Sequence, residues 1–304
     1  MKWLFIIDPI EKLNPETDTT YALMKEASSR KTEAFIATIQ DLQFEKAAKV
    51  SAQRIQFMRK HSLGQKRIFL LNDFDLILMR KEPPYDLGFH YATELLSLAK
   101  TKVVNSPQAL RDFNEKLITL QFPELMPETL VSSNVDQICK FIKSKNIFFI
   151  IKALDSFQGR IIQKVHSKNA GFKKVIETST DGGKMPIMVQ EFLPNIIKGD
   201  KRVLILGGKF LGAVNRMPKP GSYISNFGAG GTGHKTMLTA KEQSIVKRVG
   251  PFLLKQGIHF AGLDIIDGRL TEINITCPTG LQHINRLENR KLEKDVVDYL
   301  ERLP

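Results

Sequence analysis

At 304 residues, with 42% hydrophobic and 25% charged residues, the chain is long enough to bury a sizeable core and reads as an ordinary enzyme-sized protein of one large or two to three smaller domains. Lys plus Arg outnumber Asp plus Glu by 45 to 32, a formal charge of +13, but the basic residues alternate with acids and no RNP, helix-turn-helix or zinc-finger pattern supports a nucleic-acid partner, so the surplus reads first as solvated lysines and second as a bias toward small anionic ligands. Two cysteines, Cys139 and Cys277, supply neither a disulfide framework nor a zinc site and suit a reducing cytoplasm; MKWLFIID reaches Asp8 before a secretory apolar core forms, and no run approaches the ~18 apolar residues of a membrane span.

The first ~120 residues alternate short apolar runs with amphipathic stretches, as a layered α/β unit does. WLFII is a strand, and Asp18 to Arg30 is a helix behind an acidic, Pro-containing loop. DLILMR, Asp75 to Arg80, is a second strand, ended by Pro83 and Pro84 before the helix FHYATELLSLAK. TKVVN is a third strand, and SPQALRDFNEKLITL a helix with Ser106 as N-cap and Pro107 at its first position. A smaller α+β unit, residues 122–193, follows, with a helix near VDQICKFIKSK and strands IFFIIKAL and MPIMVQEFL. GDKRVLILGGKFLGAVNRM then gives two strands joined at Gly207 and Gly208. The helix TAKEQSIVKRVGPFLLKQG has a capping box, Thr239 with Glu242, and a stop at Gly257.

GAGGTG, Gly228 to Gly233, satisfies the dinucleotide fingerprint G-x-G-x-x-G, and GAGGTGHKT nearly satisfies a P-loop. Both need a strand before the glycines and a helix opening within them, but SYISNF is a poor core strand and the helix cap waits until Thr239. A glycine-rich lid over a site is the better reading.

GLDIIDGRLTEINIT places Asp264, Glu272 and Asn274 in two apolar runs around an Asp-Gly turn. Polar groups in such a setting cost about 1 to 3 kcal/mol each unless partnered. Glu272 and Asn274, two apart on a strand, share a face and offer the hard oxygens that Mg²⁺ takes; the alternative is an edge hairpin with one solvated face. A two-residue turn at Asp267 and Gly268 would throw Asp264 to the opposite face. A bulged or three-residue turn would bring all three together. Lys152 ends an apolar strand, Lys116 lies in RDFNEKL on a predicted helix, and the VQEFLP strand end, with Asp200 nearby, offers backbone for an adenine edge and an acid for a ribose. With a Mg²⁺ hairpin, these features describe an ATP site.

The chain resembles the bacterial-type glutathione synthetases of the ATP-grasp superfamily over nearly its whole length. The resemblance rests on IIDPI with DTTYALMKEA, ILMRKEPPYDLGFHYAT, VVNSPQALRDFNEKL, LPNIIKGDKRVLIL and GLDIIDGRLTEINITCPTG. It implies an ATP-grasp fold, α/β with an α+β lid: an N-terminal α/β pre-ATP-grasp domain (residues 1–121), a small lid (122–193) and a C-terminal catalytic subdomain (194–304). The implied reaction joins γ-glutamylcysteine to glycine through an acyl phosphate. Asp264, Glu272 and Asn274 match the family's Mg²⁺ (or Mn²⁺) ligands, Lys116 and Lys152 its phosphate-side lysines, Glu191, Phe192 and Leu193 its adenine segment, and Asp200 its ribose-side acid. Arg202 and Arg216 match the arginines that stabilise the intermediates. A cytoplasmic homo-oligomer, often a tetramer, is implied as well.

Three stretches depart from the family pattern. KALDSFQGR carries Ser156 and Gln158 where a phosphate-covering loop has glycines, with Gly159 kept; residues with a Cβ hinder close approach of backbone to phosphate. Ile224 stands where the substrate lid has arginine, and Gln282 with His283 replace Arg-Glu, so positive charge near an anionic substrate is lost. Two alternatives follow: an ATP-grasp ligase with a different γ-glutamyl or peptide carboxylate or amine, and a non-catalytic nucleotide-binding protein.

Overall fold

The computed structural model describes residues 1–58, 60–155 and 162–303. Lys2–Ile6 runs parallel between Glu33–Ala37 and Leu76–Met79, with Lys102–Val104 parallel beyond the latter. Trp3, Leu4, Phe5 and Ile6 are all buried, because helices and neighbouring units cover both faces of a parallel sheet and an unbroken apolar run is what satisfies them. Asp18 caps Thr19–Ser29 by accepting from the Tyr21 N–H at 2.8 Å, and Asp86 caps Leu87–Leu96 by accepting from the Phe89 N–H at 2.8 Å.

The antiparallel part of this sheet is a correction to the sequence reading. Ala47–Phe57 pairs with Glu33–Ala37 and also carries Leu42–Glu45, His61–Leu63 and Arg67–Leu70. Most of these short strands are solvated on at least one side, so their apolar residues are too sparse to announce a strand. A second correction concerns the helix opened by Ser106 and Pro107. It ends at Asp112, Phe113 turns extended, and the Asn114 side chain accepts from the Lys116 and Leu117 N–H groups, competing with helical bonding. Lys116 therefore lies just before the 3₁₀ turn Leu117–Gln121 and not on an α-helix.

A four-stranded antiparallel sheet runs in the order Ile162–Val165, Phe149–Ala153, Ile187–Glu191, Thr129–Ser132. The helices Val135–Lys143 and Phe172–Ser179 pack on it, the second unmarked in the sequence reading. A five-stranded antiparallel sheet follows in the order Thr232–Lys235, Lys209–Met217, Asp200–Leu206, Phe260–Ile266, Arg269–Asn274. The helix Ala240–Lys255 begins with the expected capping box, Thr239 N–H donating to Glu242 at 2.7 Å. It crosses the Gly207–Gly208 turn so closely that a Cβ on Gly250 would stand 2.0 Å from the Gly208 carbonyl oxygen.

The apolar interior is distributed unevenly. Leu4, Ile6 and Ile77 of the first sheet share one core with Val203, Leu263 and Ile273 of the third. Trp3, Phe5 and Leu78 share another with Leu204, Phe260 and Leu281. Ile138, Phe149, Ile151, Ile176 and Val189 form a separate core confined to the four-stranded unit. Asn105 stitches the first and third sheets: its amide donates to the Phe260 and Ile275 carbonyls at 2.7 Å each and accepts from the His259 and Phe260 N–H groups at 2.8 and 3.0 Å. Among the described residues, no helix is long and apolar enough to cross a membrane.

Candidate active site

Asp267 and Gly268 form a two-residue turn, both at positive φ (52° and 64°), that sets Ile266 opposite Arg269. This corrects the expectation that the turn itself must be bulged or longer. The register instead shifts farther along, between Asp264 and Ile265: Ile265 faces Leu270, but Asp264 faces Glu272, with Thr271 the extra residue. One extra residue inverts the alternation of side chains, so Asp264, Glu272 and Asn274 reach one face by a bulge within the strand.

On that face Asp264 is buried under two guanidinium groups. Arg202 holds it with both ends, Nε to Oδ1 at 2.6 Å and Nη2 to Oδ2 at 3.0 Å, and Arg216 Nη2 lies 3.0 Å from Oδ2. Burial alone would raise the Asp264 carboxyl, but the two arginines outweigh it and bring it down to about 2. Arg216 also pairs with Asp200, which accepts from Ser225 Oγ at 2.9 Å. Asp200 ends up the other way: burial dominates over Arg216 and its carboxyl is pushed up. Gly262 makes room for this packing, since a Cβ there would stand 2.9 Å from Arg202 Cδ. Asp200 Oδ1 and Arg216 Nε are buried without a hydrogen-bond partner.

The opposite wall comes from the four-stranded sheet. Lys152 Nζ donates to Gln190 Oε1 at 2.8 Å and the Thr271 carbonyl at 3.4 Å. Burial pushes its ammonium below the ordinary lysine value, with Glu272 pulling it back up. Lys116 Nζ stands 3.7 Å from Glu272 Oε1, the same carboxylate whose charge acts on Lys152. Glu191, Phe192 and Leu193 line the same cleft, with Ile150, Ile196 and Ile266 supplying an apolar slot. The Glu191 and Phe192 N–H groups already donate to the Glu128 and Phe148 carbonyls, so an adenine edge must be read by other atoms of this segment.

A second cleft lies beside the first. Arg202, Arg216, Glu82, Glu115, Asn274 and Thr276 line it, and the two clefts share Glu272 and Asn226. Residues 223–228, part of the segment read as a lid, border both clefts. No α-helix opens within the glycines of GAGGTG; the 3₁₀ turn Phe227–Ala229 leads them into the strand Thr232–Lys235. Ile224 borders the first cleft, while Gln282 and His283 take structural positions. Gln282 Nε2 donates to the Pro15 and Asp18 carbonyls at 3.2 and 2.5 Å, and the His283 ring stacks on Phe227 with centroids 3.8 Å apart. Ser156, Gln158, Gly159 and Arg160 lie outside the described residues.

Sequence reasoning missed Gln190, Ser225 and Glu115. Glu115 had a signal, its place beside Lys116 in NEKL. Gln190 and Ser225 had none, because their partners Lys152 and Asp200 are distant in the chain.

Glu272 and Asn274 offer oxygens of the kind a hard divalent cation takes, while both Asp264 oxygens are held by Arg202 and Arg216 and would reach a cation only by giving up part of that pairing. Among the described residues no three His, Cys, Asp or Glu side chains gather as a metal cluster. The donor set is two carboxylates and an amide, and Asn274 Nδ2 is spent on the Gly262 carbonyl and Asp264 Oδ2 at 3.3 Å each, which leaves its oxygen. Mg²⁺ bound by one or two carboxylates and completed by phosphate oxygens needs no larger protein cage.

The prokaryotic glutathione synthetase N-terminal domain family matches residues 1–111, and the prokaryotic glutathione synthetase ATP-grasp domain family matches residues 115–289. A glutathione synthetase of Prochlorococcus marinus subsp. pastoris is 37% identical over 99% of both chains. That of Prochlorococcus marinus strain MIT 9313 is 40% identical over 98% of this chain and 97% of its own, and that of Synechocystis sp. is 38% identical over 99% of both. Among solved structures, the RimK domain protein ATP-grasp from Sphaerobacter thermophilus shares the fold with a TM-score of 0.65 at 15% identity, over 99% of this chain and 100% of its own. The ATP-grasp ligase PsnB, complexed with a phosphomimetic precursor variant, Mg and ADP, shares it with a TM-score of 0.60 at 15% identity, over 99% of this chain and 97% of its own. Two adjoining clefts, one walled by lysines and one by arginines, thus lie in a chain matched by these families almost from end to end, and the chain belongs to the prokaryotic glutathione synthetase family of ATP-grasp ligases.

Proposed function

We propose that the chain joins γ-glutamylcysteine to glycine at the expense of ATP, with ATP in the first cleft and the peptide in the second. The observation that carries this reading is that the two clefts meet at Glu272 and Asn226, with lysines on one side and arginines on the other. Phosphoryl transfer to a carboxylate asks little covalent chemistry of a protein; it asks for positioning and for neutralisation of the charge on the transferring group. Lys116 and Lys152 meet the phosphates; burial lowers the Lys152 ammonium from its ordinary value, and an anionic phosphate beside it would raise it again. Arg202 and Arg216 orient the cysteinyl carboxylate and stabilise the acyl phosphate, then the tetrahedral adduct formed when glycine's amine attacks it, whose collapse expels phosphate and leaves the amide. Asp264, Glu272 and Asn274 would hold Mg²⁺, which when bound supplies charge neutralisation between the nucleotide phosphates.

Asp200 serves the ribose side through the Arg216 network, and Glu191, Phe192 and Leu193 hold the base. The working division is a substrate-side domain of residues 1–121, a lid of 122–193 and a catalytic subdomain of 194–304. Cytoplasmic location and homo-oligomeric assembly complete the reading.

The purified protein, given ATP, Mg²⁺, γ-glutamylcysteine and glycine, is expected to release ADP and form the tripeptide by mass spectrometry, and to stop when any one substrate is omitted. Nucleotide binding without turnover would overturn the enzyme reading. ADP release that ignores glycine and responds to another amine would favour a ligase of different specificity, the reading that Ile224 in the cleft wall supports.

A further inference from the structure

Lys116 is flanked by two side chains that the proposed chemistry does not itself use. Asn114 Oδ1 accepts from the Lys116 and Leu117 N–H groups at 2.9 and 3.2 Å, while its Nδ2 donates to the Leu154 carbonyl at 2.8 Å. Leu154 follows the strand that carries Lys152. Glu115 reaches the other way. Its Oε1 accepts from the Ile275 N–H at 2.7 Å, the Thr276 N–H at 2.9 Å and Thr276 Oγ1 at 2.8 Å, and its own carbonyl accepts from the Ile273 N–H at 3.0 Å. These bonds bracket Asn274. Strand pairing ends at Asn274 opposite Gly262, and beyond that point Glu115 takes the backbone donors that a neighbouring strand would otherwise satisfy.

We infer that Asn114 and Glu115 are positioning residues that hold Lys116, the metal-side face of the hairpin and the Lys152 strand in one register. The inference rests on the proposed ATP site and deepens it. Three consecutive residues reach three places: Asn114 the four-stranded unit, Glu115 the five-stranded sheet, and Lys116 the carboxylate between them. Both side chains bond chiefly to backbone, which is how a structure sets the position of neighbouring side chains.

Conservative variants separate positioning from bulk stability. Asn114→Asp keeps the acceptor for Lys116 and Leu117 but sets a second oxygen against the Leu154 carbonyl. Glu115→Ala removes the acceptor for three donors, and Glu115→Gln restores one. Binding of a fluorescent ATP analogue with Mg²⁺ is measured beside melting temperature, kcat and KM. Asn114→Asp and Glu115→Ala are expected to weaken nucleotide binding about tenfold and kcat/KM for ATP about a hundredfold, with Glu115→Gln within about threefold of the parent. Unchanged nucleotide affinity in Asn114→Asp with only a lower melting temperature would overturn the inference, as would a Glu115→Gln protein as weak as Glu115→Ala. If Glu115→Ala does not fold, Asn114→Asp and Glu115→Gln decide. Nucleotide binding is read without peptide or glycine, so a wrong peptide assignment leaves this result standing, and the reverse.

Discussion

The four-stranded unit of residues 129–191 packs Ile138, Phe149, Ile151 and Val189 among themselves, whereas the sheet of residues 200–274 shares both of its cores with the N-terminal sheet. The polar connections differ in the same way. Asn105 makes four bonds between the two large sheets, and Arg80 adds bonds to Thr20 Oγ1 and the Pro278 carbonyl at 3.0 Å each. The small unit is tied to the rest by Asn114 to Leu154 and by longer contacts such as Tyr223 Oη to the Ile162 carbonyl at 3.4 Å. A unit with its own core can open and fluctuate more independently than sheets that share theirs. The cleft therefore pairs a wall built into the shared cores, which carries Arg202, Arg216, Asp264, Glu272 and Asn274, with a wall that has a core of its own, and the first is expected to be the more rigid.

The contrast is open to direct attack. Arg216→Met takes the guanidinium from buried Asp200, leaves Asp264 to Arg202 and Asn274, and should destabilise the protein by about 3 kcal/mol in a denaturant melt. A shift under about 1 kcal/mol would mean the wall relaxes or takes in water, and the rigidity argument fails. Ile151→Ala opens the small core and should remove about 2 to 5 kcal/mol there. Hydrogen exchange should then lose protection across 129–191 and keep it in the parallel strands; equal loss in both would mean a single cooperative unit.

Glu272→Gln removes one anionic ligand and little volume, so kcat should fall about a hundredfold or more with the melting temperature nearly unchanged. An active variant would count against the metal assignment. The acid limb tests the same network. Asp264 is held from its ordinary 3.8 down to about 2, so its contribution, about 2 kcal/mol, is complete above pH 3.8 and lost as pH falls toward 2. Asp200, pushed up by burial, has the opposite sign and takes its proton first. Asp264→Asn should flatten the fall in stability below pH 4, and an unchanged slope would show that other carboxylates govern it. Gln282→Ala, losing bonds to two carbonyls where helix meets loop, is expected to be the mildest, at about 1 kcal/mol.

Several site residues were legible because strand alternation places Glu272 and Asn274 together wherever the strand lies, and because Lys152 ends a run too apolar to be a surface strand. Others were legible only through the resemblance: Arg202 and Arg216 sit on adjacent antiparallel strands, and nothing in their local sequence says that both converge on Asp264. The helix expected through Lys116 failed because Asn114 bonds locally and breaks it.

By itself the sequence determined the central strands, the helix caps at Ser106 and Thr239, and the family, since these depend on apolar runs, capping chemistry and motifs read within a few residues. The tertiary structure alone decided that the hairpin turns in two residues and recovers its parity by the extra Thr271. A bulge depends on what packs against the strand, here Arg202 lying over Gly262, and not on the residues of the turn. It also decided that Asp264 lies beneath two guanidinium groups and that Glu115 caps the strand end past Asn274. Those contacts join residues roughly 50 to 160 positions apart, a separation that no local pattern in the chain records.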